Sequence, residues 1–329
     1  MELLGWLWPI SSGVADAGAR IAIKKSEVHN FVLSGLGLLC GLPFYAGWLF
    51  ISGMPEIKPT FWLAVAGHIP LYVLVQIFTV EAHRAGTMVK TMPLSSLTPA
   101  MLLITSPIMG GGTPTFLGGL GILITVVGLY AIHIEKDRAH WLDPLKAIVG
   151  EKSSQFMFGA TLCQAVSANL DKTALLSSNG AFYLLIDHAV VALWLLLLLP
   201  IFAAFDKLRT KINGIEQRLT LADVNRDTWN ARNQKAFAWY GLFNAGTSMF
   251  HIIGLGFLPH VPYFISGKRT GAVLFGIGFG LLMWHLEQTR HVPADQRKFS
   301  EETENLGWKL LGTLLVLVGM FLVIFYGKA

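Results

Sequence analysis

The sequence predicts an all-α, polytopic membrane protein of ten transmembrane helices, arranged as two inverted five-helix repeats. Three observations carry that expectation: an apolar composition, the regular return of runs long enough to span a bilayer, and a likeness between the two halves. Hydrophobic residues make up 53% of the chain and charged residues 14%, where an ordinary soluble domain holds roughly 25% charged. Mean hydropathy is +0.55, so lipid is the expected solvent.

Crossing the hydrocarbon core takes about 20 mostly apolar residues. The segments that meet this need in the first half are Leu3 to Ile23, Phe31 to Ser52, Thr60 to Val80, Met92 to Met109 and Phe116 to Ile134. The second half supplies Gln155 to Leu176, Phe182 to Phe205, Phe237 to Leu258, Val261 to Trp284 and Leu306 to Phe325. Three charge-rich loops interrupt them, Glu135 to Ser154, Asp206 to Lys235 and His285 to Asn305. The chain therefore divides into a repeat over 1–134, a linker over 135–154 and a second repeat over 155–329.

Sidedness follows from charge. In a ten-span path those loops share a face with 24–30 and 81–90, where Lys24, Lys25, Arg84 and Lys90 join their basic residues, while the opposite face holds Lys58 and Lys328. Cytoplasmic loops carry the excess of Lys and Arg. This puts the long loops in the cytoplasm and both termini outside, in a plasma membrane of the bacterial inner-membrane kind. The net charge of +5 is then an orientation signal, and no nucleic-acid partner is expected. Ala15-Asp16-Ala17 imitates a signal-peptide cleavage site, but the stretch before it carries Glu2 and no cation, which argues against processing.

The likeness between halves is local and ordered. Leu120-Gly121 through Gly128-Leu129 in span five matches Leu311-Gly312 through Gly319-Met320 in span ten, both glycines included. Val14-Ala15-Asp16 through Arg20-Ile21-Ala22 in span one is similar to Val166-Ser167-Ala168 through Lys172-Thr173-Ala174 in span six. Each half has an odd number of spans, so the copies cross in opposite senses. Gly37 with Gly41 and Gly276 with Gly280 fit the small-xxx-small packing pattern.

An ionisable group at the centre of a span costs about 2.5–3.5 kcal/mol on insertion scales, so such groups face a bundle interior or water. Lys268 and Arg269 lie inside span nine, either as an anion-binding pair or as interfacial anchors. Asp16 and Arg20 are four apart and share a face of span one, with Asp171 and Lys172 in the matching region of span six. These pairs suit a gate at each entrance, or simple structural clasps. His68, Tyr72 and Gln76 form a polar stripe on span three; Asn244, Ser248 and His251 form one on span eight. Both could line a cavity or make interhelical hydrogen bonds. Asp187, beside His188 in span seven, suits a proton-coupling group.

Enzyme signatures are missing: the sequence holds no HExxH, GxSxG or Walker A motif and no paired CxxC, so no catalytic residue, metal or cofactor is expected. His285, Glu287 and His291 lack ligand spacing, and Cys40 and Cys163 sit in apolar runs.

The order of features resembles the drug/metabolite transporter superfamily in its EamA-like branch. The residues that carry the likeness are Pro93-Leu94-Ser95-Ser96-Leu97-Thr98-Pro99 ahead of the Gly-rich span five, Asn169-Leu170-Asp171-Lys172, and Val261-Pro262-Tyr263-Phe264-Ile265-Ser266-Gly267-Lys268-Arg269. The family often places a Glu after span four and another after span nine; Glu287 fits the second place, but Gly111 and Gly112 stand near the first. Many relatives also keep both termini in the cytoplasm, the reverse of the charge count here. The resemblance implies a secondary transporter or exporter whose spans five and ten pack peripherally. It also implies an anion at the Lys268-Arg269 position, where phosphate-carrying relatives use such a pair. A lipid-linked head group as cargo, or a membrane-embedded enzyme or assembly factor, are the alternatives. The expected partners are a small solute and membrane lipid, and a homodimer is left open.

Overall fold

The computed structural model describes residues 2–25, 28–85, 94–132, 148–204, 209–212, 215–218, 220–289 and 306–327. Most of the linker over 135–154, residues 86–93 and most of the loop 285–305 lie outside the described residues, as do the side chains of Arg20 and Glu287.

The first half begins with a short turn of helix α1 (Glu2–Gly5) and α2 (Leu7–Lys25). The predicted second span is broken into α3 (Asn30–Leu39) and α4 (Leu42–Ser52). Pro43 sits in the first turn of α4, where its missing N–H costs nothing but ends the helix before it. α5 (Pro59–Ala85) contains Pro70. α6 (Thr98–Met109) starts one residue before Pro99 and ends on Gly110 at φ 76°, a left-handed cap that glycine adopts without penalty. α7 (Phe116–Ile132) closes this half.

The second half runs through α8 (Lys152–Leu176) and α9 (Gly180–Ala204). After them the predicted loop 206–235 is partly ordered. Strands β1 (Arg209–Ile212) and β2 (Ile215–Arg218) pair antiparallel, Arg209 opposite Arg218. They are followed by α10 (Leu221–Thr228), which opens on a Thr220–Asp223 capping box. α11 (Ala231–Phe257), α12 (Val261–Thr289) and α13 (Leu306–Tyr326) complete the fold. Because α12 continues to Thr289, His285 and Glu287 belong to a helix and not, as the apolar run suggested, to a loop.

Four stretches are long and apolar enough to cross a membrane: Phe31–Ser52, Pro59–Thr79, Gly180–Ala204 and Gly307–Tyr326. Their outer faces carry large apolar side chains, among them Phe50 at 91% exposure and Leu63, Trp194, Leu314 and Phe325. An apolar exterior of this extent needs lipid or a partner to cover it, and with the four spans it marks a membrane protein.

Packing follows small residues. α7 and α13 meet backbone to backbone: a Cβ on Gly128 would lie 2.6 Å from the Gly312 carbonyl oxygen, and one on Gly312 equally close to that of Gly128. Gly121 approaches the Gly319 carbonyl in the same way. Elsewhere α5 packs on α8, α2 on both α11 and α12, α9 on α3 and α4, and α6 on α8 and α12. The expected small-residue contact at Gly276 is not made, since nothing lies within 4 Å of a Cβ built there. Gly37 instead receives the Tyr240 ring.

Gly128→Val or Gly312→Val should cost about 1–3 kcal/mol, the range for overpacking, because the obstructing atom is backbone and cannot turn aside. Thermal unfolding of the detergent-solubilised protein should show a clear fall in Tm for either, while Leu314→Ala, on an exposed face, should leave it unchanged.

Candidate functional site

The site is built where α2 lets α12 come close. A Cβ on Gly13 would lie 2.6 Å from Ala272 N, and one on Gly271 would lie 2.5 Å from Ile10 O. These two glycines fix the part of α12 that holds Lys268 and Arg269. Both cations are buried, at 8% and 7% exposure, which removes the expectation that they anchor at the interface. Arg269 Nη2 donates to Gln164 Oε1 at 2.6 Å and reaches Thr98 Oγ1 at 3.4 Å, tying α12 to α8 and α6. Lys268 Nζ lies 3.2 Å from His251 Nδ1 on α11.

From His251 a line of acids and imidazoles crosses the bundle. His251 Nε2 faces Asp171 Oδ2 of α8 at 3.5 Å. Asp171 Oδ1 accepts a hydrogen bond from the Tyr183 hydroxyl and lies 3.0 Å from His68 Nδ1 of α5. On the other side of that ring, His68 Nε2 faces Asp187 Oδ1 of α9 at 3.4 Å. Asp187 Oδ2 lies 3.5 Å from His188 Nδ1, whose Nε2 meets Ser248 Oγ of α11 at 2.9 Å. Ser167 also reaches His68 Nδ1, at 3.0 Å from its hydroxyl and 3.4 Å from its carbonyl. Carboxylates and cations so placed in a protein interior persist only because they neutralise one another.

These groups surround one cavity of about 150 Å³, smaller than the roughly 300–1,000 Å³ of sites for drug-sized ligands. Its walls bring together His68, Tyr72 and Gln76 from α5, Asn244, Ser248 and His251 from α11, Lys268 and Arg269 from α12, Asp171 from α8, Asp187 from α9 and Asp16 from α2. Asn244 Nδ2 and Asp187 Oδ1 are buried without a hydrogen-bond partner among the described residues. Orphaned polar atoms of this kind in a cavity wall are seats for water or a ligand. Among the described residues no group of three His, Cys, Asp or Glu is placed to hold a metal ion.

Lys172 does not join this company. Successive helical residues point about 100° apart, so Asp171 turns to the cavity and Lys172 away from it. Its Nζ donates to the carbonyls of Leu255 and Leu258 at the end of α11, the latter at 2.8 Å. There a cation satisfies helix-end carbonyls. The gate expected of an Asp171–Lys172 pair is thus replaced by a structural tie. The other expected pair, Asp16–Arg20, cannot be described beyond Asp16, which is half-buried at the cavity.

Four participants escaped sequence reasoning: Gln164, Tyr183, Thr98 and the role of His188. Two were within reach of the stripe rule, since Tyr183 and Asp187 are i, i+4 on α9 and Gln164 and Asp171 are i, i+7 on α8. Gly111 and Gly112 have a local cause. A side chain at Gly111 would run into the Asn169 amide, and Gly112 adopts φ 93° against the His260 ring. Burial and the Lys172 cation hold His260 below the usual histidine range.

No family model matches the chain, and no curated protein does. Among solved structures 27 chains match. One of them, described only as the crystal structure of a protein, aligns at 11% identity with a TM-score of 0.66, over 99% of this chain and 98% of its own. At that identity the similarity shows a shared fold and carries no function.

Lys172→Met should strand the α11 carbonyls and cost about 1–3 kcal/mol, the penalty for a buried unsatisfied group. The expected readout is a lowered Tm in detergent, with Lys172→Arg retaining part of the loss; an unchanged Tm would show that the tie carries no load.

Proposed function

We propose that the chain is a secondary transporter of a small anionic or zwitterionic solute, working by alternating access about the central cavity. The observation that carries this reading is the cavity itself: charged and polar side chains from both halves converge inside a bundle whose outside is apolar. Ionisable groups inside a membrane bundle are costly and mark a functional site by default.

The body that would do this is the ten-span, inverted five-helix repeat of the EamA-like drug/metabolite transporters. The packing supports that reading. Exchanging the halves turns α2 on α11 into α8 on α5, and α2 on α12 into α8 on α6. The same exchange maps α7 on α13, and α9 on α3 and α4, onto themselves. The reciprocal Gly121–Gly319 and Gly128–Gly312 contacts obey it residue by residue. α2, α8, α11 and α12 run for 19, 25, 27 and 29 residues. At 1.5 Å per residue each spans about 28 Å or more, close to or beyond the hydrocarbon thickness. On the charge count the long loops are cytoplasmic, in a plasma membrane.

In this mechanism Lys268 and Arg269 attract the solute's anionic group, and the α5 and α11 stripes donate and accept its remaining hydrogen bonds. The sequence has no ATP-binding motif, so an ion gradient, exchange or the solute's own gradient supplies the energy.

Purified protein in liposomes, offered a mixture of isotope-labelled amino acids, carboxylates and sugar phosphates, should accumulate at least one of them. Lys268→Ala and Arg269→Ala should each lower that uptake tenfold or more. If every accumulated solute is indifferent to both changes, the cationic pair does not bind it.

A further inference from the structure

The three histidines of the cavity are not equivalent. Two of them can be drawn as neutral rings without a clash of lone pairs, although His251 Nε2 and His188 Nδ1 only approach their carboxylates at 3.5 Å and make no full hydrogen bond among the described residues. A neutral imidazole offers one N–H donor and one acceptor, whereas the cation offers two donors. His251 Nδ1 faces the Lys268 ammonium at 3.2 Å, which can only donate, so that nitrogen accepts and Nε2 carries the proton towards Asp171. His188 Nε2 can accept from the Ser248 hydroxyl at 2.9 Å, leaving Nδ1–H for Asp187.

His68 has no such solution. Asp171 Oδ1 at 3.0 Å and the Ser167 carbonyl at 3.4 Å both require a donor at Nδ1; the Ser167 hydroxyl at 3.0 Å can donate to Nδ1 of a neutral ring protonated at Nε2, but that tautomer turns the Nδ1 lone pair on Asp171 Oδ1. Asp187 Oδ1, at 3.4 Å from Nε2, requires a second one and accepts no hydrogen bond among the described residues. A neutral ring protonated at Nδ1 turns a lone pair on that carboxylate oxygen. Only the imidazolium suits both sides, and at 3.4 Å a slight ring rotation completes the second bond.

We propose that His68 is the binding site for a transported proton, held between Asp171 and Asp187, and that its release couples solute movement to a proton gradient. This rests on the transporter reading of the same cavity. A proton delivered by hydronium on one face binds at Nε2, an O–H bond breaking as the N–H bond forms, and on release it passes to water on the other face with the reverse exchange.

The coupling is geometric. His68 belongs to α5, Asp171 to α8 and Asp187 to α9. With Nε2 deprotonated, the α5–α8 link through Nδ1 survives, while the α5–α9 link becomes a repulsion between a lone pair and a carboxylate. One proton thus decides whether α5 and α9 attract or repel each other at this point, while the Tyr183 hydroxyl of α9 stays bonded to Asp171 of α8.

The other titratable groups at this centre are placed to assist. The Tyr183 hydroxyl of α9 holds Asp171, and the Tyr72 ring of α5 lies 5.2 Å from that of His68. Tyr45 of α4 abuts His188 at 5.1 Å between ring centres. Arg269 is engaged by Gln164, and Asp16 and Tyr240 complete the charged and phenolic wall. The path from Asp171 through His251 to Lys268 joins the proton site to the cation proposed to hold the solute.

Two measurements test this. In protein labelled with ¹⁵N-histidine, NMR near neutral pH should show a ring with both nitrogens protonated, lost in His68→Gln and lost or weakened in Asp187→Asn, with size-exclusion profiles confirming that each variant is folded. If every ring of the wild type is neutral, the proposal is overturned. In liposomes loaded with the pH dye pyranine, the accumulated members of the labelled mixture should drive a dye response that falls at least tenfold in Asp187→Asn. Solute uptake without a dye response in the wild type overturns the coupling and leaves the transport reading intact. No uptake of any probe overturns transport and coupling together, while the doubly protonated ring would still support His68 as a proton site.

Discussion

The interaction on which the rest depends is the ring of His68 between two carboxylates. Each of these groups alone would be expensive in a lipid-covered bundle, and removing one partner of a buried pair typically costs about 3–5 kcal/mol. Together they make a bridge from α5 to α8 and α9. The consequence reaches outward, because each carboxylate passes its remaining oxygen to a further imidazole on α9 or α11. Five helices are therefore registered against one another by a single line of polar atoms, and none of these groups can be changed without leaving its neighbour unsatisfied.

Two kinds of helix contact coexist in the molecule, and they differ in what they permit. Where α7 meets α13, and where Gly13 and Gly271 join α2 to α12, glycines bring backbones into touch. Such contacts are dry, steep and intolerant of sliding, since close-packed surfaces resist small displacements. At the centre the helices are held apart by long polar side chains around a cavity, and their links are bonds between groups that have alternative partners. Glycine contacts thus hold α7 to α13 and α2 to α12 at short range, while the helices around the cavity are joined by hydrogen bonds and ion pairs.

The apolar runs made the helices legible, to within a few residues at most ends, because lipid imposes one criterion on every span. The break of the second span was hidden only because Pro43 falls in the same apolar run as the residues before it. Hairpin β1–β2 carried its own signal in Asn213-Gly214 between two short alternating stretches, which the surrounding charge obscured. The polar stripes of α5 and α11 could be drawn from helical spacing. Their meeting with Asp171 and Asp187 could not, because pairing between helices far apart in the chain leaves no periodicity to read. Lys172 was misplaced for a related reason: its acceptors are backbone carbonyls, and any residue at a helix end supplies those.

Four of the helices that make the site, α2, α8, α11 and α12, are not among the four apolar spans. They are long enough to cross, and the polar residues that lower their hydropathy include Asp16, Asp171, His251, Lys268 and Arg269. α5 and α9 supply two of those spans although each brings a member of the central bridge, because the rest of their surface faces outward and is apolar. Much of the polar content of these helices is turned to the cavity, with Lys172 tied elsewhere. α7 and α13, mostly apolar and locked to each other by glycines, contribute mass and stiffness, and the chemistry belongs to the helices that line the cavity.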